Sequence, residues 1–315
     1  MRVLVTGAAR DLGAEVVRRL EWEPAVDVLL GLDFERPQGR FRKLRLIRGD
    51  VRSSSASGRI RDAEPDVVVH CALHVAGGST RAAHESNVIG TMNVLAASGS
   101  IRKLILRSSA VVYPTGLDMP SLLREEDGGK RPPATPLGGD LFEVEALVAD
   151  FAAAHPETIT TVLRLGHSLG AHWRTLMSDY VSLAHPPTFP GFDPRIQLLA
   201  EEDAAEAVVR AITANHPGVF NVAGGGVLLL SQLLGLARRT PRPMLPPVGG
   251  PWFQRQAARA LAGANVSADF LSVLIWGSVM DISLLYQEFG WRPPRTCREA
   301  VAEYIRARSP LVLSA

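Results

Sequence analysis

Val3-Leu4-Val5-Thr6-Gly7-Ala8-Ala9-Arg10-Asp11-Leu12-Gly13 reads as a short buried strand, a glycine turn and the start of a helix. That order of elements opens a dinucleotide-binding site. Gly7 permits the tight turn, Gly13 lets the helix pack close against the strand, and the free N–H groups at the helix start face a pyrophosphate. Ala9, Arg10, Asp11 and Leu12 form the turn itself. Where the three-glycine fingerprint has its middle glycine this chain has Arg10, whose guanidinium either reaches over the phosphates or stays in solvent.

The fingerprint requires an acidic residue about 20 residues further on, at the end of the next strand. Val28-Leu29-Leu30-Gly31-Leu32 is apolar and ends in Asp33. A carboxylate there accepts from a ribose 2′-OH and repels a 2′-phosphate, so NAD is expected and NADP disfavoured. Arg36, close behind, softens that preference by offering a phosphate partner.

Short β-branched runs then alternate with helical stretches, the pattern of a doubly wound parallel sheet. Strands are expected at Lys43 to Ile47, Asp66 to Cys71, Lys103 to Arg107 and Thr158 to Leu165, and helices at Thr80 to Ser98 and Gly138 to Ala154. Past residue 165 the regularity breaks. Prolines at Pro186-Pro187, Pro190, Pro241 to Pro247 and Pro293-Pro294 mark loops, with a helix at Glu202 to Ala214 and a strand at Val219 to Val222 between them. The expected architecture is an α/β Rossmann sheet over residues 1–165, rejoined by 203–222, with a smaller C-terminal substrate lobe over 166–315.

At 315 residues, 46% hydrophobic, 21% charged and net charge +2, the composition is that of an enzyme-sized α/β chain. The small arginine excess is spread along the chain and does not argue for nucleic acid. Cys71 and Cys297 lack metal spacing and fit a reducing cytoplasm as buried structural residues. The chain starts on its first strand, leaving no room for a signal peptide. The charge-free stretch from Ala211 to Ala237 is interrupted by Asn215, Pro217, Asn221 and Gly224-Gly225-Gly226, so no membrane helix is expected. The eight histidines make no metal spacing, and no serine lies in a Gly-x-Ser-x-Gly elbow. Tyr286, Trp291 and Trp276 are expected to pack the core or the lobe.

Several short stretches, in this order and spacing, resemble extended short-chain dehydrogenases/reductases of the NAD-dependent epimerase/dehydratase family. They are Thr6-Gly7 to Gly13, Gly49-Asp50-Val51-Arg52, Val69 to Ala72, Asn87 to Thr91, Ser108-Ser109 to Val112-Tyr113, Glu202 to Ala207, Gly218 to Val222 and Phe289 to Pro293. The resemblance runs nearly the full length and is greatest to actinobacterial members labelled as sugar epimerases. It implies NAD as cofactor, a nucleotide sugar or similar small molecule as substrate, and a homodimer. It also places Asp50 and Val51 by the adenine, Ala72, Leu73 and His74 at the ribose and pyrophosphate, Asn87 in support, and Ser108 and Leu165 beside the cofactor. Ser109 aligns with the serine that bonds the reacting hydroxyl or carbonyl.

The family's proton transfer uses a tyrosine and a lysine four residues later, the lysine lowering the tyrosine pKa and holding the nicotinamide ribose. Here those positions are Leu137 and Leu141. Neither can move a proton. Two classes of function survive. In one, an enzyme has moved its acid/base work to Asp140, Glu143, Tyr113 or His167. In the other, a nucleotide-binding sensor or scaffold works without turnover.

Overall fold

The computed structural model describes residues 1–75, 80–170, 172–244, 266–267 and 270–308. Seven strands form its main sheet: β1 (Arg2–Thr6), β2 (Val28–Asp33), β3 (Leu44–Arg48), β4 (Val67–His70), β5 (Lys103–Ser109), β6 (Ile159–Leu165) and β11 (Gly218–Val222). All run parallel, in the order β3-β2-β1-β4-β5-β6-β11. The continuous apolar runs of the central strands are explained by helices on both faces, since both sets of side chains are then buried.

On one face lie α1 (Asp11–Leu20) and α7 (Glu201–Thr213), which meet through Val16, Val17 and Leu20 and through Ala204, Ala205, Val208 and Ile212. The other face carries α2 (Ser55–Asp62), α3 (Arg81–His84), α4 (Gly90–Ala96) and α5 (Pro136–Ala154). Val94, Leu141, Val144 and Phe151 pack there against Leu4, Val68 and Leu104. A π-helical turn, Glu85–Ile89, joins α3 to α4.

The helix expected from Gly138 starts two residues earlier. Thr135 caps it by accepting from the Gly138 amide at 3.2 Å, and Pro136 fills the first helical position, where no N–H is needed. The stretch expected as one helix over Thr80 to Ser98 is divided by the π turn. Short α2 was not anticipated, because Ser53 to Gly58 is too polar to show a helical stripe.

Beyond the sheet a third apolar cluster gathers Tyr180, Phe189, Ile196, Leu233, Phe270 and Tyr304. Its strands are short: β7 (His167–Leu169) pairs with β10 (Leu198–Ala200), β8 (Pro187–Thr188) with β13 (Arg242–Pro243), and β9 (Arg195–Ile196) with β12 (Leu228–Leu229). Two proline-marked loops therefore carry a strand pair, which two-residue strands allow because few ladder bonds are needed. Pro246 and Pro247 lie outside the described residues. Helices α6 (Leu176–Ser182) and α8 (Leu230–Leu236), with two more at Leu271–Trp276 and Cys297–Arg308, complete this region, whereas the helix Ser283–Phe289 packs on the main sheet, Phe289 lying edge-on to Phe220 of β11 at 5.1 Å.

Cys71 and Cys297 are free and buried. Trp291 packs against the sheet's core as expected, whereas Trp276 and Tyr286 depart from expectation. Trp276 is 43% and Tyr286 56% exposed, Tyr286 lying under the Arg292 guanidinium, while Trp291 stacks with Arg210. Among the described residues no helix is long and apolar enough to cross a membrane.

Candidate nucleotide groove

In strand order, connections leave β1 in one direction and β4 in the other, so a crevice opens at the carboxyl ends of these two strands. A groove of about 590 Å³ lies there, walled by the turn after β1, the ends of β2 and β3, the segment after β4, Arg107 of β5, and Trp173-Arg174-Thr175.

The turn after β1 is built by two glycines. Gly7 has φ +68°, its amide donates to Leu32 O at 3.0 Å, and a Cβ would come within 2.9 Å of the Ala72 backbone. A Cβ at Gly13 would run into the Gly7 carbonyl oxygen. Arg10, where a third glycine is usual, has extended backbone (φ −137°, ψ 159°) that any residue adopts, and makes no side-chain cap to α1. The first amides of α1 are thus left open towards the groove. The Arg10 side chain turns along the rim to Glu35 at 3.2 Å. Asp11 takes the left-handed φ of +46°, which Asp tolerates better than most residues.

Asp33 ends β2 and is fixed on both oxygens: Oδ2 accepts from Ala9 N at 2.9 Å and Oδ1 from Phe34 N at 2.7 Å. Ala9 therefore serves through its backbone. Asp50 lines the groove and pairs with Arg52 at 2.7 Å, which holds its carboxyl below the usual range. Val51 is buried against Gly90.

Ala72, Leu73 and His74 wall the groove on a segment held from beneath. Thr6 Oγ1 accepts from Ala72 N (3.2 Å) and donates to His70 Nδ1 (2.7 Å). His70 Nε2 donates to Thr91 Oγ1 (3.0 Å), which donates to Asn87 O (2.5 Å). Asn87, fully buried, grips the His74 backbone with Oδ1 on its N–H (2.6 Å) and Nδ2 on its carbonyl (3.1 Å). This chain needs neutral His70 with the proton on Nε2, and burial pushes its pKa down to about 4.

The wall from the lobe is positioned by Glu201. Its carboxylate, at the start of α7, accepts from Trp173 N at 2.6 Å and His172 N at 3.2 Å, and Gly170 leaves it room. Burial raises its pKa. Arg174 pairs with Asp179 at 3.0 Å, and Thr175 caps α6.

The expected acid/base residues stand elsewhere. Tyr113 is 2% exposed; its hydroxyl donates to Asn221 Oδ1 (2.6 Å) and accepts from Arg164 Nη1 (3.0 Å), and burial pushes its pKa up to about 12. It is a structural link. Ser108 faces the same network, donating to Glu145, which Arg164 grips with two nitrogens. Leu165 lies in the core beneath the sheet's carboxyl edge. Ser108 and Leu165 are thus not walls of the groove. His167 is 7% exposed, edge-on to Phe270 at 6.0 Å, with Nε2 lacking a partner among the described residues; burial pushes its pKa down to about 4, so it is neutral at pH 7. Asp140 is paired with His84 Nδ1 at 2.8 Å, and that bond raises the His84 pKa. Glu143 lies two helical turns beyond Pro136 on α5, outside the groove walls. Ser109 closes β5, its Oγ accepting from Val111 N at 3.5 Å, and like Ser108 it is not a wall of the groove. Leu137 and Leu141 are fully buried among apolar neighbours.

Arg107, Glu35, Ser86, Glu201 and the Trp173 segment were not singled out by sequence. Of these only Arg107 carried a signal, a charge ending the apolar run of a central strand. The others are joined to the groove by contacts distant in sequence.

A Rossmann sheet with this groove defines a nucleotide-binding class of α/β protein. Residues 3–223 match the NAD dependent epimerase/dehydratase family, and the chain belongs to it. An uncharacterized protein of Mycobacterium tuberculosis (strain ATCC 25618 / H37Rv) is 33% identical over 97% of this chain and 84% of its own. A UDP-glucose 4-epimerase of Yersinia enterocolitica is 30% identical over 57% of each. Among solved structures, UDP-glucose 4-epimerase of Thermotoga maritima with UDP-glucose superposes with TM-score 0.74 at 18% identity, covering 98% of both chains. UDP-glucose 4-epimerase of Thermus thermophilus with NAD gives 0.75 at 18%, covering 98% of this chain and 100% of that one. At such identity the structures speak for the fold.

Proposed function

We propose that this groove holds NAD and that the chain is an epimerase/dehydratase-like oxidoreductase, acting on a nucleotide sugar or a similar hydroxyl or carbonyl compound through an altered active site. The observation that carries the reading is Asp33. Held by Ala9 and Phe34 amides at the end of β2, it presents a carboxylate to an adenosine ribose, with the uncapped start of α1 beside it for the diphosphate. Exposed Arg36 is not among the groove walls, and the Arg10 guanidinium is held by Glu35 at 3.2 Å, so Asp33 faces a 2′-phosphate without a compensating cation and NADP is disfavoured.

Bound there, NAD supplies a hydride acceptor and donor. Gly7, Gly13 and the α1 amides seat the diphosphate, Ala72 to His74 line its flank on the Asn87 clamp, and Ser109 orients the substrate oxygen. Residues 1–165 with 203–222 bind the nucleotide in this proposal, and 166–315 receive the substrate. A homodimer through the α4 face is part of it, since Ile89 and Met92 remain 40% and 49% exposed there.

A second reading, an NAD-binding sensor without turnover, is favoured by one observation: Leu137 and Leu141 are buried, and Tyr113, His167 and Asp140 are sealed or paired. Loss of a positioned acid/base costs about 10²–10⁴-fold in rate. The test is product analysis after incubating the protein and NAD with UDP-glucose and related nucleotide sugars. Turnover that Ser109→Ala lowers at least ~100-fold, with NAD affinity retained, supports the enzyme. NAD binding without turnover on any of them overturns it in favour of the sensor.

A further inference from the structure

Among the described groove walls, Arg107 is a buried cation that the protein leaves incompletely paired. It lies on β5, two strands from β1 on the side opposite β2. With Asp33 on β2 at the adenosine end and the α1 start over β1 at the diphosphate, the other half of a dinucleotide runs over β4 and β5. Strands are about 4.8 Å apart, so β5 lies roughly 10 Å from β1, within reach of the nicotinamide riboside. This step rests on the NAD reading above.

The guanidinium is poorly matched by the protein. Nη1 donates to Leu73 O at 3.3 Å, while Nε is shielded from solvent and has no partner among the described residues. The groove's carboxylates are largely committed: Asp33 to two amides and Asp50 to Arg52, leaving Asp11 across the turn as the nearby negative charge. Burial works against the charged form, but an arginine does not give up its proton at any working pH. A cation met by one carbonyl, with its Nε sealed inside, is therefore kept at the groove wall, an arrangement that costs stability until the part of the guanidinium facing the groove is complemented.

We propose that Arg107 is the binding residue of the nicotinamide end and biases this protein towards reduced dinucleotide, NADH binding more tightly than NAD⁺. The oxidised ring carries a positive charge and the reduced ring none, so a fixed guanidinium alongside repels only the oxidised form. Its groove-facing N–H groups serve either form by donating to the carboxamide oxygen, which ADP-ribose lacks. Two cations about 6 Å apart at an effective dielectric near 20 repel enough for roughly a tenfold to hundredfold difference in affinity.

The experiment is calorimetric titration of the full chain with NADH, NAD⁺ and ADP-ribose, repeated on Arg107→Met and Arg107→Lys. Expected are NADH binding at least ~10-fold tighter than NAD⁺ in the wild type, a ratio near one in R107M, retention of the bias in R107K, and little change for ADP-ribose. Equal wild-type affinities for NADH and NAD⁺, or an unchanged ratio in R107M, overturns the proposal even though ADP-ribose still binds. A parallel loss of all three ligands in R107M also overturns it, making Arg107 a diphosphate clamp instead. If none of the three binds the wild type, the NAD reading falls and this inference with it. The wild-type ratio needs no variant to fold, so the proposal stands or falls even if R107M does not.

Discussion

Single side chains in this molecule separate into those that face the groove and those that close a buried network, and substitutions should separate the same way. Asp33→Asn keeps an oxygen for the Ala9 amide but removes the charge. NADP should then bind closer to NAD, the ratio narrowing about tenfold in a competitive titration, because one unit of charge repulsion near the surface is worth about 1–2 kcal/mol. Tyr113→Phe leaves Asn221 Oδ1 and Arg164 Nη1 short of a partner. It should cost about 2 kcal/mol in urea unfolding and leave NAD affinity unchanged. A parallel loss of affinity would return Tyr113 to the site. The place of Asp33, at the end of β2 in the groove wall, was legible in the sequence because it is set by a local spacing from Gly7 and Gly13. Tyr113 and His167 were misleading as acid/base groups because burial is decided by residues far along the chain. Asn221 lies 108 positions from Tyr113, and Phe270 packs on His167 from the lobe.

Between elements, polar links seat the strands on their helices. Lys103, 2% exposed at the start of β5, donates to the carbonyls of Ala211 (3.2 Å), Ile212 (2.7 Å) and Ala214, closing the end of α7. Lys103→Met should cost about 2 kcal/mol, read from the urea midpoint at unchanged slope. His70 joins β1 and β4 to α4, and His167 sits in β7; both titrate near pH 4 when folded against an ordinary value of 6.5. Between those values the unfolded chain binds more protons than the folded one. Stability should therefore fall as pH drops from about 6.5 to 4 and stay level for these groups above about 7. The loss is of order 3 kcal/mol per histidine at the conversion of ~1.4 kcal/mol per unit. His167→Leu should remove its share of that slope, and an unchanged slope would contradict burial as the cause. The sheet's strands were legible because burial on both faces leaves unbroken apolar runs. The two-residue strands of the lobe were not, since pairs such as Pro187–Thr188 carry no periodicity and are placed by their partners.

Across the whole molecule, the sheet edge, the Glu201-held segment and the α1 turn meet at one groove, and residues 3–223, which build most of that frame, match the NAD dependent epimerase/dehydratase family. In the proposed reading the groove residues serve the nucleotide, while Leu137 and Leu141, which the family resemblance places at the proton-transfer positions of α5, are sealed in the core. Binding and chemistry are therefore separable here, and binding is the claim on which the rest depends. The measurement that tests it most directly is calorimetric titration of the purified chain with NAD, NADH, NADP and NADPH. The account predicts micromolar or tighter binding of at least one NAD(H) form, with NADP and NADPH at least ~10-fold weaker than NAD and NADH respectively. Failure of all four to bind, or a preference for the phosphorylated pair, would contradict it.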